Sequence, residues 1–334
     1  MTASASPQDT ARRILAGDVR AAARLMRAID DGLPGAASVL GLLHPHTGRA
    51  WLLGVTGSPG VGKSSLTDAL VGALRERGLT VGVVAVDPTS PFSGGAILGD
   101  RIRMQKHACD PGVFIRSLAT RGQFGGLTAS TRGVVTVLDA MGKDVILIET
   151  VGVGQDEVEI ARMADTTAIV VVPGMGDDIQ AIKAGVLEAG DVFVVNKMDR
   201  EGAGRTAGEI EAMLSLGGRG GERDQGWTPP VVLTCAVDGR GLPELMAALE
   251  GHRAHLMAED GQRLAARRRW AAQAELLELV KARLMQRVQA RLDEDGLAAL
   301  AQEIALKRRD PYRAAEEVLA AALHDTEEAP WPAT

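Results

Sequence analysis

Cysteine is nearly absent. The two present, Cys109 and Cys235, lie far apart, which excludes a disulfide framework and a paired-cysteine zinc motif and fits a reducing, cytoplasmic setting. Aromatic residues make up only 3% of the chain, so the core must be built from Val, Leu, Ile, Ala and Met. A positive surplus is missing too: 37 Lys and Arg stand against 43 Asp and Glu, and the formal charge of −6 argues against a nucleic-acid partner. No apolar run approaches about 18 residues, so no membrane span is expected. The polar start, Met1 to Pro7, lacks the apolar core of a secretory leader. What remains is a globular balance, 46% apolar and 24% charged. Its 334 residues suffice for one large domain with appendages, or for two domains.

From Trp51 onward, strand-like and helix-like segments alternate. The expected strands are 51–56, 80–86, 113–117, 145–150, 166–172, 191–196 and 231–235. Most are unbroken apolar runs, the pattern of strands covered on both faces. The fold class is therefore α/β, with a mostly parallel central sheet flanked by helices. Helices are expected at 63–77, 127–141, 177–189, 202–216 and 242–257. Ahead of them, two helices are expected, the first capped by Asp9 or Thr10 and the second by Asp18, with Val19, Ala22, Leu25, Met26 and Ile29 on one face. After residue 258 the strands stop. Residues 259–292 read as one long helix striped with Leu277, Val280, Leu284, Val288 and Leu292, and shorter helices follow near 296–306 and 311–323. The stripe must be buried against the core or against a second copy. The expected organisation is an N-terminal helical extension (1–48), an α/β domain (49–257) and a C-terminal helical arm (258–334). The basic triplets Arg267-Arg268-Arg269 and Lys307-Arg308-Arg309 read as solvated helix faces.

The string Gly57-Ser58-Pro59-Gly60-Val61-Gly62-Lys63-Ser64 follows an expected strand and opens an expected helix, the context a phosphate-binding P-loop requires. A glycine-rich turn can aim several backbone N–H groups at one point, and the helix N-terminus adds unpaired donors and partial positive charge. Gly57, Pro59, Gly60, Val61, Gly62, Lys63, Ser64 and Ser65 are the candidate phosphate contacts. Lys63 would set its charge on the β- and γ-phosphates, and the Ser64 hydroxyl would ligate Mg²⁺. Asn196-Lys197-Met198-Asp199 closes a later strand. A carboxylate at Asp199 can accept from guanine N1–H and its exocyclic amine. Adenine has an acceptor at N1 and no amine at C2, and would leave the acid unpaired. Thr234, Cys235 and Ala236, after the last strand, are placed for backbone contacts to the base. The cofactors expected are thus GTP or GDP with Mg²⁺, and the activity expected is GTP hydrolysis.

Asp87 and Glu149 end expected parallel strands, where carboxylates face the ligand crevice. With Ser64 and a loop residue, Asp100, they form the candidate Mg²⁺ environment. Gly152 is placed to offer its N–H to a γ-phosphate. The next residue is Val153, where a Ras-type GTPase carries its water-orienting glutamine. Slow intrinsic hydrolysis is therefore expected, hastened by a partner. Gln155 and Lys183 are candidate substitutes, alongside Lys63 and Glu149 in the catalytic set.

Longer strings narrow the reading. Asp87-Pro88-Thr89-Ser90-Pro91-Phe92-Ser93-Gly94-Gly95-Ala96-Ile97-Leu98-Gly99-Asp100-Arg101, Arg116-Ser117-Leu118-Ala119-Thr120-Arg121-Gly122-Gln123-Phe124-Gly125-Gly126, Glu149-Thr150-Val151-Gly152-Val153-Gly154-Gln155 and Pro173-Gly174-Met175-Gly176-Asp177-Asp178-Ile179-Gln180 closely resemble the switch regions of the MeaB/ArgK/MMAA GTPases. The resemblance spans roughly residues 10–325. It implies a SIMIBI-class chaperone for an adenosylcobalamin-dependent acyl-CoA mutase, typically methylmalonyl-CoA mutase, with ethylmalonyl- and isobutyryl-CoA mutases open as clients. It also implies a homodimer through the C-terminal helices, and signalling to the mutase by Asp177, Gln180 and Lys183. Arg200-Glu201-Gly202 departs from the family's more polar continuation, outside the base contact. Two rivals stay open. A metal-delivery GTPase of the same class would draw on His44-x-His46 or His107-x-Cys109. A kinase acting on a transport protein would need an acceptor pocket.

Overall fold

The computed structural model describes residues 6–33, 35–87, 104–107, 109–119, 129–150, 156–174, 189–216 and 226–323. Its centre is a seven-stranded parallel sheet of β1 (Trp51–Thr56), β2 (Val81–Asp87), β3 (Val113–Ala119), β4 (Val145–Glu149), β5 (Thr166–Val171), β6 (Val192–Val195) and β7 (Val231–Leu233). The order across the sheet is β3-β2-β4-β1-β5-β6-β7. In register, Trp51 lies opposite Val145 and Leu53 opposite Thr166, which puts β1 between β4 and β5. All seven expected strands form, within two residues at each end.

The apolar runs are unbroken because each strand feeds two cores. Val81 and Val83 of β2, and Val145 and Leu147 of β4, point into one cluster with Leu66, Leu70 and Leu74. The alternate residues Val84, Val86, Ile146 and Ile148 point into the other, with Met26, Val134 and Leu138. Helices α4 (Lys63–Glu76) and α8 (Leu242–Met257) cover the first face. The opposite face is covered by α5 (Ala129–Ala140), and α1 (Pro7–Leu15), α2 (Val19–Asp30) and α3 (Ala36–Leu43) pack into the same cluster. Helix α6 (Asp156–Met163) lies against β1, where any side chain on Gly54 would strike Ile160. Helix α7 (Ala203–Leu216) flanks β6 and β7.

Several expectations need correction. Ser6 caps α1, accepting from the Asp9 N–H at 3.1 Å, with Pro7 at the first helical position where its missing N–H costs nothing. Asp18 does cap α2, accepting from Arg20 and Ala21 at 2.9 Å each. Of the residues expected on one face of α2, Ala22, Leu25 and Met26 are buried, while Val19 at its start is 55% exposed. Helices α3 and α6 are additions. The long helix does not begin at 259: Glu259–Gly261 is a separate 3₁₀ turn with Asp260 at φ +57°, and α9 runs Gln262–Arg291. The expected helix 177–189 lies outside the described residues except for Ala189. In the first basic triplet only Arg269 fits a solvated face: Arg267 is buried and Arg268 half-buried, each in an ion pair.

Two compact units divide the chain, Met1–Arg269 and Trp270–Thr334. The second holds the rest of α9, then α10 (Glu294–Ala305), capped by Asp293 on the Gly296 N–H, and α11 (Pro311–Leu323). Of the expected α9 stripe, Leu277 and Val280 are 60% and 55% exposed. No helix among the described residues is long and apolar enough to cross a membrane.

Candidate nucleotide-binding site

Parallel strands deliver their C-terminal ends to one edge, where helices start and loops gather. Two such loops, after β1 and after β6, meet here. Residues 57–62 turn from β1 into α4, and glycine is required for steric reasons. Gly57 sits at φ +142°, and a Cβ there would lie 2.0 Å from the Val170 carbonyl oxygen. Gly62 sits at φ +96°, with the Asn196 amide nitrogen 2.5 Å from where its Cβ would be. Gly57→Ala is therefore expected to cost at least about 2 kcal/mol, since backbone would have to move. A denaturant melt compared with the native protein checks this.

Lys63, the first residue of α4, is 7% exposed, and its Nζ donates to the Gly57 and Ser58 carbonyls at 2.6 and 3.0 Å. The next residue reaches the neighbouring strand: the Ser64 hydroxyl donates to Glu149 Oε1 at 2.6 Å. Glu149 ends β4 and is 5% exposed. Behind it the Thr56 and Thr150 hydroxyls bond at 2.8 Å, locking β1 to β4 beside the loop. A hydroxyl and a carboxylate meeting beneath a glycine-lined turn form a hard-oxygen donor set, the type Mg²⁺ takes together with phosphate. Pro59, Gly60 and Ser65 face outward, and Val61 is buried.

The β6 loop is tied to this turn. Asn196 is buried. Its Nδ2 donates to the Val61 carbonyl at 2.8 Å, and its Oδ1 accepts from Thr234 Oγ1 at 3.2 Å and Ala236 N–H at 3.1 Å. One amide thus joins the phosphate turn, the β6 loop and the loop after β7. Lys197 takes φ +60°, rare for a side chain of its size, and its Nζ donates to the Gly60 carbonyl at 2.7 Å. The Met198 N–H donates to the Thr234 carbonyl at 2.9 Å, and Asp199 stands exposed on the turn. Cys235 is buried, with its N–H on the Arg240 carbonyl. The Arg240 guanidinium and N–H hold the Asp238 carboxyl down at about 2.

The structure thus brings together Gly57 to Ser65, Glu149, Asn196 to Asp199 and Thr234 to Ala236. Asp87 ends β2. The Asp87 side chain, Asp100, Gly152, Gln155 and Lys183 lie outside the described residues. Sequence reasoning gave Asn196 and Lys197 to the base and missed their bonds to the phosphate turn. The signal was available only as two motifs known to share one crevice.

The model of the methylmalonyl-CoA mutase-associated GTPase MeaB family matches residues 22–293. This chain belongs to that family. A relative in Pyrococcus abyssi, named as a GTPase, is 47% identical over 307 residues, covering 92% of this chain and 94% of its own. The GTPase ArgK of Escherichia coli is 36% identical over 256 residues, covering 75% and 76%. A solved structure described as LAO/AO transport system kinase superposes with a TM-score of 0.72 at 26% identity, over 95% of this chain and 98% of that one. As a MeaB-family member with this sheet and P-loop, the chain is a GTP hydrolase that binds guanine nucleotide.

Proposed function

We propose that this GTPase is a chaperone of an adenosylcobalamin-dependent acyl-CoA mutase, methylmalonyl-CoA mutase first, coupling hydrolysis to cofactor loading, protection or reactivation. The observation that carries this reading is the match over residues 22–293 to a family named for association with that mutase. The site chemistry is compatible with it. Lys63 would hold the β- and γ-phosphates, with loop N–H groups around them. Ser64 and Glu149 would hold Mg²⁺, joined by Asp87 and Asp100. The metal would supply charge neutralisation across the phosphates. Asp199 would select guanine by accepting from its N1–H and amine, with Asn196 keeping the two loops at a fixed spacing.

Val153 holds the position where a Ras-type site carries its glutamine, so water is expected to be poorly oriented in the isolated chain, and a partner would complete the arrangement. Gln155 and Lys183 are the proposed groups it would engage. The exposed Leu277 and Val280 stripe on α9 supports a homodimer through the C-terminal helices. A kinase reading also has an observation in its favour, the description of the superposing structure.

One assay separates the two. Purified chain is mixed with each candidate mutase, and release of γ-phosphate to water is followed beside transfer to protein. Mutase binding with turnover raised at least about tenfold is expected. Label appearing on protein would instead select the kinase. If no mutase binds or alters turnover, the chaperone reading fails.

A further inference from the structure

At the edge of the sheet opposite the nucleotide loops, two adjacent arginines grip three strands. Arg267 is 7% exposed and forks onto Asp191, Nη1 to Oδ1 at 3.0 Å and Nη2 to Oδ2 at 2.5 Å. Its Nε donates to the Ala164 carbonyl at 3.2 Å. Asp191 also accepts from the Thr167 N–H at 2.7 Å, and its carbonyl takes the Trp227 indole N–H at 2.8 Å. Arg268 forks onto Asp165 at 2.9 and 2.7 Å and donates to the Ala50 carbonyl at 2.9 Å and to that of Gly48. Asp165 in turn accepts from the Leu52 N–H at 3.0 Å.

These contacts fall where β1, β5 and β6 begin. The same strands end at the phosphate turn, at Pro173-Gly174 and at Asn196. Strand β6 has only four residues, Val192–Val195, with Asp191 at one end and Asn196 at the other. A buried ion pair adds little net stability, because desolvation offsets its attraction. A two-pronged fork does fix position, since neither partner can slide without losing a bond. Helix α9, which carries both arginines, continues well past them to Arg291.

We propose that Arg267 and Arg268 are positioning residues that couple helix α9 to the nucleotide loops through β1, β5 and β6. A displacement of α9 shifts the starts of these strands, and so changes the spacing between phosphate turn and base selector. By reciprocity, the nucleotide bound at one edge alters α9 at the other.

The test uses the full chain. Arg267→Lys and Arg268→Lys keep the charge and lose the fork. An Asp191→Asn, Arg267→Met pair removes the charge from both sides and guards against misfolding of the single variants. The exposed Arg269→Lys is the control. Release of fluorescent GDP is expected to accelerate about fivefold or more in the grip variants and to stay native in the control. In the native chain, amide exchange over residues 270–285 is expected to differ between GDP and a non-hydrolysable GTP analogue, and that difference is expected to vanish in the variants. A lowered melting temperature with native GDP release would mean a merely structural clamp and would overturn the proposal. Equal exchange in the two nucleotide states of the native chain would overturn it too.

Discussion

Replacing Lys63 with alanine is expected to reduce affinity for GTP and GDP by 2–5 kcal/mol, about 30- to several-thousand-fold, without unfolding the chain. The ammonium is nearly buried at the start of α4, where it donates to the Gly57 and Ser58 carbonyls. Those two acceptors belong to a surface turn that water reaches through the exposed Pro59 and Gly60, so truncation need not strand them. Phosphate would lose its closest full charge, in a site where screening is weak. Arginine is not expected to rescue, because a planar guanidinium is too broad for a slot that holds one ammonium between two carbonyls. Titration with fluorescent nucleotide measures the loss, and circular dichroism checks the fold. Unchanged nucleotide retention would sink the assignment of this turn.

Asp199→Asn is expected to exchange the base preferred. In the proposed role, the carboxylate would offer two acceptors to the two donors on guanine. An amide offers one acceptor and one donor, which suits xanthine, whose C2 carries a carbonyl. Sites built around a substrate's hydrogen-bonding edge reject mismatched edges by about 10⁴-fold or more when buried. At this exposed turn about 100-fold in each direction is the expectation, scaled down because water can compensate. Asp199 has no packing role, so the variant should melt like the native protein. Competition between GDP and XDP for the variant is the measurement. Retained guanine preference would show that another group selects the base.

The sheet was legible in the sequence because a strand covered on both faces is apolar at most positions, and such runs stand out in a chain poor in aromatics. The two loops were legible because their residue order is dictated by the ligand. What escaped was set by distant partners or weak periodicity. Helix α3 is a short stretch, Ala36–Leu43, whose one polar side chain is Ser38 and which has a glycine inside, so no polar face marks its period. Arg267 and Arg268 read as surface charge because their acids lie 76 and 103 residues away. Ser6 is hard to recognise as a cap because Pro7 masks the start of a helix unless its fixed φ is taken as a first-turn signal. The clasp made by Asn196 was hidden because each of its partners is a backbone group or hydroxyl that carries no distinctive letter.

The placement of β1 bears on how the chain is made. The strand that leads into the phosphate turn pairs with residues 145–149 and 166–169 and with no earlier strand. On the ribosome, then, β1 ends at Thr56 and must wait for about ninety further residues before its first neighbour, at 145–149, exists. Throughout that interval Trp51, Leu53 and Val55 have only helices to shelter them, and long-range parallel pairing is slow to form. Synthesis speed over residues 57–170 thus becomes a determinant of yield, and folding helpers that shield nascent apolar segments have their clearest task there.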